Sequence, residues 1–410
     1  MRRPSPWPIL VVFLLGALLL REPRVLKLED LFLGWFLEQS EAVLPSAQVT
    51  LVEIGREDFR KMTPEEKLKP LPAGESARRS LSPLEYALFL QAVLEFQPTV
   101  IGIEPIVIWR DRDKAQEQVF IDQAMHVPKL LVGIQLGEKG KRDLAVEDMP
   151  SFPNVTGSRG FLAQFTGVYR QPDDDIRLIS TPGFTNTPDE RTDEVRVPML
   201  FDYRGEIVPS FPLQAIMLWL RLVPSDVKIE LGSKIILPNG WIIPIHRDGT
   251  ITINPVARQS VRRLTLNELL LAAQEHEGHR TPTVNLDNLK DHIVLLRIAD
   301  DPLQPPNLFS TAIATIQNNV YIRPAHRATP WLIISAAAIL SGFLWVFSRP
   351  TILLLALISS AGYTLLSLGM LSRYHLWLPT FLPIVLIWFL ALVRLVIPGS
   401  AVKPEVAASG

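Results

Sequence analysis

Cysteine is missing from all 410 residues. Its absence excludes disulfides, thiolate nucleophiles and every metal site built on sulfur, and it leaves the redox compartment open. An excess of charge of either sign is missing as well, since 41 basic residues stand against 42 acidic ones. An electrostatic grip on nucleic acid needs a concentrated positive face, and none gathers along the chain, so no nucleic-acid partner is expected. Three catalytic signatures are also lacking: a GxxxxGK phosphate loop, a GxGxxG turn after a strand, and a GxSxG nucleophile elbow. With no nucleophile, metal or cofactor constellation in sight, neither an enzyme nor a bound cofactor is expected.

The few polar clusters point the same way. His276 and His279, in "HEGH", fall three apart near the end of an expected helix, but zinc needs a third or fourth ligand and the His-Glu-x-x-His order is absent. The triplet Asp173, Asp174 and Asp175 lacks the alternating oxygens and the glycine of a calcium loop, and reads as a solvated turn. "NVT" at Asn154 is formally a glycosylation triplet of the kind that arises by chance. No metal site is expected.

Apolar residues are abundant, at 48% of the chain with a mean hydropathy of +0.20. They are unevenly spread, for the sequence is nearly free of charge from Pro330 onward. Four stretches call for a lipid solvent: residues 7–20, 330–347, 351–371 and 376–397. The first is short for a span and resembles the core of a signal peptide, but its exit, "LLLREPRV", lacks small residues for cleavage, so an uncleaved anchor is expected. The other three are joined by "SRP" and "SRYH", connections fit only for helical hairpins. Ala338 with Gly342, and Ala356 with Ser360, have the spacing of small residues that lets membrane helices approach; lipid-facing positions would show the same pattern. If the four helices alternate, Arg2, Arg3, Arg349, Arg394 and Lys403 fall on one side against Arg373 on the other, which makes that side the cytoplasm. Residues 1–6 and the short tail 398–410 are then cytoplasmic, and residues 21–329 lie outside.

That outer region reads as alternating strands and helices. "VLKLEDLFLGWFL" places Leu28, Leu31, Phe32, Trp35 and Phe36 at helical spacing, an amphipathic stalk. "QVTLVEIG" is a strand, Ser82 and Pro83 open a helix through "LEYALFLQAVLEFQ", "TVIGIEPIVIW" is a second strand, "KAQEQVFIDQAMH" a helix and "KLLVGIQL" a third strand. After a loop-rich middle come "VRVPMLFDYRG", a helix at "LQAIMLWLRLV", a hairpin turning on Asn239 and Gly240, a helix near "LTLNELLLAAQE", the strand "HIVLLRI" and the helix "LFSTAIATIQNNV". The expected fold is α/β, a mostly parallel or mixed sheet flanked by helices, with four transmembrane helices, one at the start and three at the end.

In open parallel sheets, ligands bind beyond the carboxyl ends of the strands. Glu104 and Trp109 follow the second strand, and Asp300 and Asp301 follow the last, so these four are the ligand-binding candidates. Capping of neighbouring helices is the ordinary role for such carboxylates and stands beside the ligand-binding one.

The segments "VTLVEIGREDF", "SPLEYALFLQAVLEFQPTVIGIEPIV", "STPGFTNTPDERTDEVRVPMLFDYRGEIVPSFPLQAIMLWL", "LKDHIVLLRIADDP" and "FSTAIATIQNNVYIRP", in that order and framed by one and then three apolar helices, resemble the CHASE domain, type 2, an extracytoplasmic sensory module of bacteria. The resemblance covers residues 21–397. It departs from the family at Ile54 and Gly55, where Ile-Asp is usual, at Ile103 and Glu104, where Phe-Asp is usual, and at Arg297, where glycine is usual. The last helix also lacks the family's Gly-Val-x-x-His-Ala approach. The resemblance implies a multi-pass protein of the bacterial inner membrane, in contact with lipid, that senses an unknown small molecule and relays the signal to a cytoplasmic or membrane signalling partner. It also implies a homodimer. The other expectation compatible with these departures is an envelope scaffold or assembly subunit that senses nothing.

Overall fold

A computed structural model describes residues 6–20, 22–38, 44–55, 81–109, 113–138, 149–187, 196–238, 240–280, 282–299, 307–324, 328–344, 347–374 and 376–396. The chain divides into two compact units. Ala42–Tyr321 form one; the residues up to Glu41, together with those from Ile322 onward, form the other. The expected outer region, 21–329, is therefore wider than the compact unit it contains.

The unit Ala42–Tyr321 is built on seven strands: β1 (Val49–Ile54), β2 (Val100–Ile103), β3 (Leu130–Gly137), β4 (Gly167–Arg170), β5 (Thr181–Phe184), β6 (Arg262–Thr265) and β7 (Ile293–Ile298). Their order is β6-β1-β7-β2-β3, with β5 and β4 both on β3. All pairs are parallel except β3 with β4. Strands as apolar as "VTLVEI" and "IVLLRI" are needed because both faces of a parallel sheet are covered.

Five helices do the covering: α3 (Pro83–Leu94), α4 (Lys114–Met125), α5 (Phe211–Trp219), α6 (Leu266–Glu277) and α7 (Leu308–Gln317). Alternate strand residues separate the two cores. Val52, Ile54, Ile103 and Leu296 pack with Phe89 and Leu90 of α3, Phe120 of α4 and Leu269 of α6. Leu51, Val100, Leu131 and Leu295 pack with Phe211 of α5 and Ile313 of α7. Phe211 and Phe309 stack at 5.5 Å, tying α5 to α7 with about 0.5–1.5 kcal/mol beyond the area they bury. The start of α3 was legible in sequence at Ser82 and Pro83; Ser82 with Glu85, and at α6 Thr265 with Glu268, each make a reciprocal capping box.

The second strand ends sooner than expected. "TVIGIEPIVIW" is apolar to Trp109, yet β2 stops at Ile103 because Pro105 cannot donate to a ladder. The loop-rich middle holds small sheets. Leu200–Tyr203 and Glu206–Pro209 form a hairpin turning on Arg204 and Gly205, both at positive φ. Lys228–Glu230, Lys234–Ile236 and Ile242–Pro244 form an antiparallel meander. Gly240 is in the left-handed region at the expected tip of this meander, and Asn239 lies outside the described residues.

The other unit is helical: α1 (Pro6–Leu19), α2 (Pro23–Glu38), α8 (Thr329–Leu344), α9 (Arg349–Tyr374) and α10 (Phe381–Val396). Among the described residues, only α9, at 26 residues, is long and apolar enough to cross a membrane. At 1.5 Å per residue it spans ~39 Å, whereas 14 residues in α1 and 16 each in α8 and α10 give ~21–24 Å against a hydrocarbon core of ~30 Å. The start of the last apolar stretch is not helical. Leu376 and Trp377 instead pair in parallel with Arg323 and Pro324.

Both pairs of small residues lie where helices meet. Ala338 packs with Val12 of α1 and with Leu382 and Leu386 of α10, while Ala356 packs with Ile387 and Ala391 of α10. Gly342 and Gly16 are close approaches, where a β-carbon would press on Ile9 of α1 at 2.6 Å and on Ile334 of α8 at 2.7 Å. The amphipathic helix α2 buries only part of the face that spacing alone selects, with Phe32 set against Phe381. Leu33, Phe36 and Leu37 are buried, whereas Leu31 and Trp35 are 64% and 54% exposed.

Candidate functional site at the carboxyl end of the sheet

The parallel strands are followed by helices on different faces. The helices after β6, β2 and β1 (α6, α4 and α3) lie on one face, and the helix after β7 (α7) lies on the other. β7 sits between β1 and β2, so the chain parts to opposite faces on both of its flanks. Such a switch point leaves a crevice at the strand ends.

Charged groups collect there. Glu53 of β1 and Arg297 of β7 are direct register partners and so share a face, with Arg297 Nη1 3.9 Å from Glu53 Oε1. Arg297 Nη1 also donates to Asn307 Oδ1 at 3.3 Å, immediately before α7. Asn307 is in the left-handed conformation, which asparagine tolerates, and its backbone oxygen accepts from the Ser310 and Thr311 hydroxyls. Arg297 is 4% exposed and its Nε is buried with no hydrogen-bond partner among the described residues.

Glu104 follows β2 on the other flank of β7 and is also 4% exposed. Its backbone N–H donates to the Leu296 carbonyl at 3.1 Å. Its own carbonyl lies so close to Gly133 of β3 that a β-carbon there would collide with it. Burial pushes the Glu104 carboxyl up to about 8; the Arg297 guanidinium pulls it down and the Glu53 carboxylate raises it further. The carboxyl is therefore largely protonated at neutral pH. Arg263 of β6 pairs in register with Leu51 and completes the row. Desolvation and the charges of Arg258 and Arg297 lower its affinity for a proton, and Glu53 opposes them.

The four candidates from the sequence divide. Glu104 is at the switch point. Trp109 is drawn into the opposite core, where its ring meets Tyr86 and Phe120 at 5.5 Å each, an aromatic trio beneath α3 and α4. Asp300 and Asp301 lie outside the described residues. Glu53, Arg297, Asn307 and Arg263 were not among the ligand-binding candidates, and Arg297 was noted only as standing where glycine is usual in the resembled family. A charge inside an otherwise apolar strand, as in "VTLVEI" and "IVLLRI", is the signal that marked the first two, because such a strand has no solvated face to hold it.

The remaining polar clusters have local roles. His276 lies tilted against Phe96 at 5.4 Å, Asp174 pairs with Arg177 at 2.9 Å, and Asn154 Nδ2 donates to the Ser225 carbonyl. Compared with protein-family models, curated proteins and solved structures, the chain matches none of them.

Proposed function

We propose that this protein is a membrane-anchored sensory module of the type-2 CHASE kind, with residues 42–321 outside the cytoplasm of a bacterial cell. Its four apolar helices, α1, α8, α9 and α10, sit in the inner membrane. A small molecule received at the carboxyl end of the sheet biases the arrangement of those helices, and they pass the signal to a cytoplasmic or membrane partner. The three shorter helices cross with snorkelling flanks and local thinning of the bilayer.

The observation that carries this reading is the contrast between the units. One gathers buried charge at a switch point, as receptor sites in open α/β sheets do. The other leaves Leu10, Leu18, Leu332, Phe343, Leu357 and Leu365 between 57% and 71% exposed, a surface that water penalises and lipid accepts. Leu28, Leu31 and Trp35 form an exposed apolar stripe on α2, suited to the lipid interface.

Protease added to intact spheroplasts is expected to digest residues 42–321 and to spare α9. Complete protection of that unit, with digestion restored on lysis, would reverse the orientation and remove the receptor reading.

A further inference from the structure

We propose that the switch-point site takes a small anion bearing a carboxylate, held by Arg297 and by the first N–H groups of α7. The inference rests on the sensory reading above and names the ligand class of that same site.

Three observations carry it. First, the Arg297 guanidinium is only half used. Nη1 serves Asn307 and Glu53, while Nε is buried and without a partner among the described residues. A buried N–H left unpaired is costly, and Nε forms one arm of the side-on fork that a planar carboxylate accepts. Second, α7 begins beside it without a side-chain cap, because the Asn307 amide oxygen is turned to Arg297 instead. The positive end of a ten-residue helix therefore faces the same place.

Third, the local charge is positive. Among the described residues, Arg263 of β6 and Arg297 of β7 act on Glu53 of β1, Arg258 adds positive charge beside Arg263, and Glu104 is held largely neutral at pH 7. A protonated Glu104 adds no repulsion. Beside the buried Arg297, 4% exposed, the Glu53 side chain is 30% exposed.

The test uses the full chain in lipid nanodiscs, titrated calorimetrically with acetate, succinate and citrate, with phosphate, putrescine and glucose as contrasts. At least one carboxylate should bind. Its affinity should fall roughly 10- to 100-fold in Arg297→Lys, which keeps the charge but loses the fork. In the wild type, which needs no variant to fold, affinity should fall as pH rises from 7 to 9 and Glu104 ionises. Glu104→Gln should bind at neutral pH and lose that dependence.

Preference for phosphate, putrescine or glucose over every carboxylate would overturn the ligand class and leave the sensory reading intact. Failure of all six to bind a chain with a cooperative unfolding transition would overturn the inference, while the spheroplast orientation would still judge the sensory reading separately. Undiminished binding in Arg297→Lys would also overturn it.

Discussion

Glu104 couples stability to pH in a direction uncommon for a carboxylate. Its folded value of about 8 lies above the ordinary 4.5, so the folded state holds a proton that the unfolded chain releases. Its contribution is fully present below about pH 4.5, declines as pH rises through the window from 4.5 to 8, and is gone above it. Glu104→Gln is therefore expected to flatten the fall in thermal midpoint across that window and to be more stable than wild type at pH 8. Equal pH profiles for the two proteins would show that the carboxyl is not held protonated. His292 works in the opposite sense. Burial lowers its proton affinity beside Thr50, whose hydroxyl lies 3.0 Å from Nδ1, so its contribution is lost as pH falls below 6.5. The sequence marked Glu104 as a strand-end candidate but ran that strand on to Trp109, whereas β2 stops at Ile103. It could not place Trp109, because the six residues from Glu104 to Trp109 leave the sheet and either face was open to the indole.

Among the elements, α2 and α10 show how a charge is kept in an apolar unit. Glu29, 8% exposed, turns inward from α2, and its two carboxylate oxygens accept the N–H groups of Thr380 and Leu382 at 2.8 and 2.9 Å. The amino end of α10 is capped by another helix. Phe32 on Phe381 and Phe36 on Trp377, at 5.4 and 5.7 Å, extend the contact. Glu29→Ala leaves those two donors unpaired and is expected to cost about 2–4 kcal/mol in unfolding of the full chain, with faster hydrogen exchange in the peptide around Thr380. A change below about 0.5 kcal/mol would show that solvent or lipid headgroups replace the carboxylate. The periodicity of α2 was legible as an amphipathic helix, but its expected stripe divides: Phe32 and Phe36 pack on Phe381 and Trp377, while Leu28, Leu31 and Trp35 stay exposed. Spacing defines a stripe, and only a neighbouring element decides which part of it is covered.

At the scale of the whole molecule, the chain enters the unit Ala42–Tyr321 from helices and leaves it into helices, yet that unit has its own cores on both faces of its sheet. Residues 42–321 produced alone are expected to unfold in a single cooperative transition, with the helical ends removed; a molten species with no such transition would show that the helices are needed for its packing. The sequence by itself determined the α/β alternation, the segregation of charge from the apolar ends, and the start of α3, because hydrophobic period and capping chemistry are local properties of neighbouring residues. Only the tertiary structure decided that β7 is inserted between β1 and β2. That insertion brings Arg297 against Glu53, 244 positions away in sequence, and sets Glu104 on its other flank. Strand order is a choice among long-range pairings of similar apolar strands, and nothing local in those strands says which will be neighbours.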